Sequence, residues 1–264
     1  MAQLQPLSAR RHGSLRWRRA RSYAFAEGRA VVPVVASELP RAAGSFPLAF
    51  TPRGEGFTLS AVLGIEPEHN LYVRPDGRWR GSYVPAYLRG HPFYLAEAEG
   101  SRRVVAVDES SDLLTEDDPE GEPVFDAEGK PTEASQPVID FLERVARSRA
   151  ATERACRALA EHGLIEPWSV SVADAEGRSR RLEGLYRVRE AALGGLGGEA
   201  LAELRDRGAL RVAYAQVLAQ SQIRRLTTLA RQHAREASRR SPANDIDFSQ
   251  IFGEDDGLRF EWDD

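Results

Sequence analysis

The chain has 264 residues, 42% of them hydrophobic and 29% charged, which is the balance of an ordinary globular protein able to bury a sizeable core. A net charge of −4 gives no global pull toward nucleic acid, so no nucleic-acid partner is expected. The single cysteine, Cys156, excludes an intrachain disulfide and a cysteine-rich zinc site, and its helical, apolar setting predicts a buried thiol.

Residues 1–21 are expected as a basic arm, since residues 1–22 hold six arginines and no acid. Solvated termini, a docking arm, or the two ends of the chain finding each other all fit this asymmetry. No apolar segment follows the arginine pairs, so neither a secretory nor a twin-arginine leader is expected. The longest apolar run, residues 30–36, is broken by Pro33 and too short for a membrane span. The expected location is therefore cytoplasmic.

From 22 to about 110 the texture is that of β structure. Short β-branched or aromatic runs, SYAFA, AVVPVVA, PLAF, FTLSAVLG, LYVR, YLAEAE and RRVVAVDE, are divided by Gly and Pro turn signals. SELPRAAG predicts one short helix among them. The short connections favour antiparallel pairing. Residues 108–135 carry eleven acids against Lys130 alone and lack calcium-loop spacing, so they read as a solvated loop.

The period turns helical from Pro137, through Phe141, Val145, Ala155 and Leu159 to a stop at Gly163. Two strands follow around Asp174-Ala175-Glu176-Gly177, a hairpin loop that repeats the tetrapeptide at 126–129. Residues 190–207 are helical on both sides of a glycine cluster that lacks phosphate-cradle spacing. Residues 209–239 form the longest helical run, with a predicted buried stripe of Leu210, Tyr214, Val217, Leu218, Ser221, Leu226 and Leu229. The whole is an α+β protein: a mostly antiparallel β region at about 22–110, then helices and a β-hairpin packed against it. One domain is expected over 22–240, helix-rich from 136 to 240.

Residues 241–264 stand apart as a tail in which eight acids alternate with aromatic and aliphatic groups. Phe248, Phe252, Phe260 and Trp262 are its candidate docking residues, either on a partner or on the chain's own sheet edge.

The most specialised stretch is NLYVRPDGRWRGSYVPAYLRGHPF at 70–93. Tyr72, Arg78, Trp79, Arg80, Tyr83, Tyr87, Arg89, His91 and Phe93 combine large apolar area with directional polar groups. They are the candidate residues for binding a protein or peptide, a small anion or a sugar, while core rings on a twisted sheet are the competing reading. No catalytic residue is picked out: there is no G-x-S-x-G, and Cys156 has no activating neighbour in sequence. No cofactor is expected. A metal site would need His69 and His91 to converge in three dimensions, which is the route to an alternative reading as a metal-assisted oxygenase or peptide-modifying enzyme.

The same stretch resembles the SapC family of bacterial proteins. The likeness extends to VVPVVASELPRAAGSFPLAF, GEPVFDAEGKPT and GALRVAYAQVLAQSQIRRL, in order, over about residues 10–232. One departure is local. The family usually has Arg-Arg-Tyr-Pro-Phe where this chain has Arg89-Gly90-His91-Pro92-Phe93. The resemblance implies a non-catalytic accessory protein linked to surface-layer export or to uptake and modification gene clusters. It implies neither a reaction nor an oligomeric state.

Overall fold

The structure, a computed structural model, describes residues 3–97 and 103–240. The elements begin with β1 (Leu4–Pro6), α1 (Ala9–His12), β2 (Arg16–Trp17), β3 (Val31–Pro33), α2 (Leu39–Ala42), β4 (Leu48–Arg53) and β5 (Gly56–Val62). They continue with α3 (Ala86–Arg89), β6 (Phe93–Glu97), β7 (Arg103–Asp108), β8 (Leu114–Thr115) and β9 (Glu122–Pro123). The second half holds α4 (Gln136–Glu161), β10 (Ile165–Pro167), β11 (Val170–Ala173), β12 (Ser179–Leu182) and β13 (Tyr186–Val188). It closes with α5 (Glu190–Gly194), α6 (Gly198–Asp206), α7 (Ala209–Ala219) and α8 (Ile223–Arg240). This is an α+β architecture with antiparallel sheets. No described helix is long and apolar enough to cross a membrane.

The main sheet runs β10-β13-β4-β5-β3, antiparallel throughout. Phe50, Leu59 and Ala61 on it are fully buried, with α4 and α7 packed alongside. Small residues on α4, Ala155, Cys156 and Ala158, let the helix approach closely. Cys156 is buried, and burial pushes its thiol up to about 12, which makes it a packing group. Helix α4 also supplies hydroxyls to the turn that precedes α2. Ala36 N–H donates to Thr152 Oγ1 at 2.8 Å and Ser37 N–H to Ser148 Oγ at 3.0 Å. The orphan donors at the start of that turn are thereby met from 111 and 116 residues away.

The expected arm is built into the fold. β1 joins β7 and β6 in a three-stranded sheet, and β2 lies between β8 and β9. Trp17 is buried at 3% exposure and stands edge-on to Phe93 in a second core with Val107, Val124 and Leu142. The acidic stretch expected as a solvated loop is the partner of this basic segment. Arg11 binds Glu109 with two bonds, Arg18 Nε meets Asp118 at 2.6 Å, and Ser14 donates to Glu116 at 2.5 Å. Opposite charge density in two remote segments draws them together, and Trp17 locks the contact by burial.

Other expectations shift in detail. SYAFA forms a single 3₁₀ turn, Ala24–Ala26. LYVR is a turn carrying one isolated bridge, Val73 to Trp79, because buried Asn70 donates to Ala26 O and accepts from Tyr72 N–H. The buried stripe of α7 is Ala209, Val212, Ala213, Gln216 and Ala219, while Tyr214 and Leu218 are 55% and 72% exposed. Close packing on α4 favours the alanine face, and Gln216 is drawn inside because it donates to Leu48 O and accepts from Val188 N–H. Among the described residues the longest helix is α4, with 26 residues.

Candidate functional site

The stretch at 70–93 starts with a turn. Arg74 and Arg78 close it through Arg74 N–H to Arg78 O at 2.8 Å, and Gly77 takes φ +77°. The turn folds Trp79 back over Tyr72, with ring centroids 5.5 Å apart. Tyr72 is 1% exposed, donates its hydroxyl to Ser45 O, and is pushed above the usual phenol range by burial. Half-buried Trp79 donates its indole N–H to Tyr83 O at 2.7 Å. These two rings seal the stretch onto the main core.

The other residues diverge. Arg78 is exposed beside Asp76. Arg80 pairs with Glu236 of α8. Phe93 fills the second core against Trp17. Half-buried Tyr87 meets Tyr94 at the edge of a small apolar cleft. His91 stacks on Phe25, centroids 3.8 Å apart, beside a hollow of about 910 Å³. Thus the nine residues do not line one continuous cavity.

Tyr83 and Arg89 do share one. They line a hollow of about 480 Å³ with Glu38, Arg41, Phe141 and Arg144. A buried carboxylate lies beneath its rings. Glu38 accepts from Val35 N–H at 3.1 Å, Tyr83 OH at 2.6 Å and Ala86 N–H at 2.5 Å. Its charge is thereby spent on neutral donors. Burial, then the Glu38 bond and charge, push the Tyr83 hydroxyl well above the phenol range, so it stays a donor. Arg89 lies 5.5 Å over the Tyr83 ring and 4.8 Å over Phe141, and Arg41 lies 6.0 Å over Tyr83. None of Arg41, Arg89 and Arg144 is ion-paired among the described residues. The rim is therefore cationic and the floor aromatic.

Sequence reasoning missed Glu38, Arg41, Phe141 and Arg144. Residues 38–41 stand in a predicted short helix and residues 141–144 in another, and no spacing joins them to Tyr83 across 42 or more positions.

The two histidines of the metal alternative line different hollows. His69 packs against His233, centroids 4.7 Å apart, near Asp174, while His91 faces Phe25 and Tyr94. Among the described residues no group of three or more His, Cys, Asp or Glu side chains is placed to hold a metal ion. Phe248, Phe252, Phe260 and Trp262 lie outside the described residues.

Compared with known proteins, residues 7–226 match the family model described as SapC. No curated protein and no solved structure matches the chain.

Proposed function

The chain belongs to the SapC family, and from that premise we propose a cytoplasmic binding or accessory protein that takes an anionic ligand over Tyr83. The ligand class is a peptide or sugar bearing carboxylate or phosphate. One observation carries this reading: three guanidinium groups that make no ion pair among the described residues line a hollow together with two aromatic rings, while the Glu38 carboxylate in the same lining is occupied by neutral donors. Arginine forks match planar oxyanions, and the rings offer a face for the apolar part of the ligand. A link to surface-layer export or to uptake and modification systems rests on the family resemblance alone. Residues 241–264 then serve as the docking element for a protein partner, through their alternating acids and aromatic groups.

Calorimetric titration with a short acidic peptide and with a sugar phosphate tests the anion site. Binding at low salt that weakens roughly 10-fold or more in both R89A and R144A supports it. Unchanged affinity in the two variants sinks it. For the tail, removal of residues 241–264 is expected to end co-purification of a partner while the fold remains intact.

A further inference from the structure

Helix α7 is apolar on two sides. One side, with Val212, Ala213, Gln216 and Ala219, packs into the core. The other carries Leu210, Tyr214, Val217 and Leu218, whose spacing makes one continuous stripe on a helix. Leu210 and Val217 lean on the core and are partly buried. Tyr214 and Leu218 stand out, 55% and 72% exposed, and they are the two most exposed large hydrophobic side chains among the described residues. A phenol and an isobutyl group one turn apart gain by losing contact with water, so this face fits a cover.

The charge around the stripe says what kind of cover. Residues 209–240 hold seven arginines and a single acid, Glu236, which Arg80 already binds. Arg211 and Arg224, at the two ends of the stripe, are exposed and make no ion pair among the described residues. A second copy of the chain is a poor partner, because pairing two α7 helices would gather arginines with no acid between them. The complement stands in the same chain. Residues 241–264 hold eight acids and one arginine, interleaved with Leu258, Phe260 and Trp262.

We infer that residues 253–264 cover the outer face of α7 within the same chain, with Leu258, Phe260 and Trp262 on Tyr214 and Leu218 and the acids toward Arg211 and Arg224. The reach is sufficient. At the rise of a helix, Tyr214 lies at most about 40 Å from Arg240 whatever the angle between α7 and α8. A dozen residues can span that distance, and residues 241–252 are a dozen. Linkage in one chain sets an effective concentration of about a millimolar, so a contact too weak to hold a free peptide still fills the face. One consequence rests on the reading of residues 241–264 as a docking element: a partner must draw the tail off α7, and its apparent affinity is lowered by the fraction of tail that is covered.

The test uses the full chain with Leu218→benzoylphenylalanine, irradiated at low micromolar concentration, digested and mapped by mass spectrometry. The expected product is a cross-link within one chain to the segment 253–264, with a yield that does not change on dilution. In the same chain carrying R211E and R224E the yield is expected to fall roughly 3-fold or more. Absence of a cross-link to the tail, products that join two chains and fade on dilution, or an unchanged yield in the charge-reversed chain overturns the proposal. All three substitutions are at exposed positions, so the fold is retained. Co-purification of a partner reads the docking role separately: its loss on removal of 241–264, with no cross-link to α7, leaves that role standing and ends only the contact within the chain.

Discussion

Arg80 holds Glu236 with two parallel hydrogen bonds, 3.0 Å from Nη1 to Oε1 and 2.9 Å from Nη2 to Oε2, across 156 positions of chain. The Arg80 side chain is only 13% exposed, and Arg74 approaches the same carboxylate at 3.4 Å. This pair ties the turn at 74–81 to helix α8. Through it the helix stays seated while Trp79 closes over Tyr72.

R80A is expected to lower unfolding stability by about 1–2 kcal/mol in urea titration, because it leaves a partly buried carboxylate with a single weaker partner. R80K recovers less than half of the loss, since an ammonium cannot bind both oxygens in the same plane. Full recovery by lysine would show that charge alone matters at this contact.

Gln216 is fully buried and spans two strands of the main sheet, donating to Leu48 O at 3.0 Å and accepting from Val188 N–H at 2.9 Å. Q216L keeps most of the volume and strands both backbone groups. The expected cost is about 2–4 kcal/mol, read as a lower denaturation midpoint. A variant as stable as the parent would mean that water enters and satisfies them.

Glu38 holds the Tyr83 hydroxyl of the arginine hollow from beneath. E38Q removes the acceptor of one of its three donors and weakens the bond from Tyr83, at an expected cost of about 1–3 kcal/mol. The same change removes a negative charge from beneath Arg41 and Arg89. Anion affinity should therefore rise or hold in E38Q while stability falls. A drop in both would place the carboxylate in ligand contact.

Asp174 gives a pH signature. Burial pushes its carboxyl up, but bonds from the Arg178 backbone and side chain and from Arg180 outweigh that and hold it at about 2, below the ordinary 3.8. A folded value below the unfolded one means the contribution is complete above 3.8 and fades as the pH falls through 2. The difference in thermal midpoint between the parent and D174N should be constant from pH 7 to 5 and shrink below 4. A difference that grows on acidification would contradict the assignment.

Several local features were legible in the chain alone. The turn at Pro75-Asp76-Gly77 and both Asp-Ala-Glu-Gly loops form as their residues direct, with Asp126 and Asp174 accepting from downstream backbone N–H groups. The short helix Leu39–Ala42 and the long helix Gln136–Glu161 form where a proline in the first turn and the hydrophobic period place them. In α7 the period located the helix but mis-phased its buried face, because alanines beat leucines where a neighbouring helix must come close.

Composition, turn chemistry and hydrophobic period act within about ten residues, so the sequence by itself determined the α+β class, most element positions and the family. Only the tertiary structure decided which charges meet. Arg11 and Arg18 found Glu109 and Asp118, Tyr83 and Arg89 met Arg41 and Arg144, and Ser111 came to His91. Such encounters depend on how remote segments cross. Electrostatic and hydrogen-bond energies follow distance in space, which the order of residues along the chain does not encode.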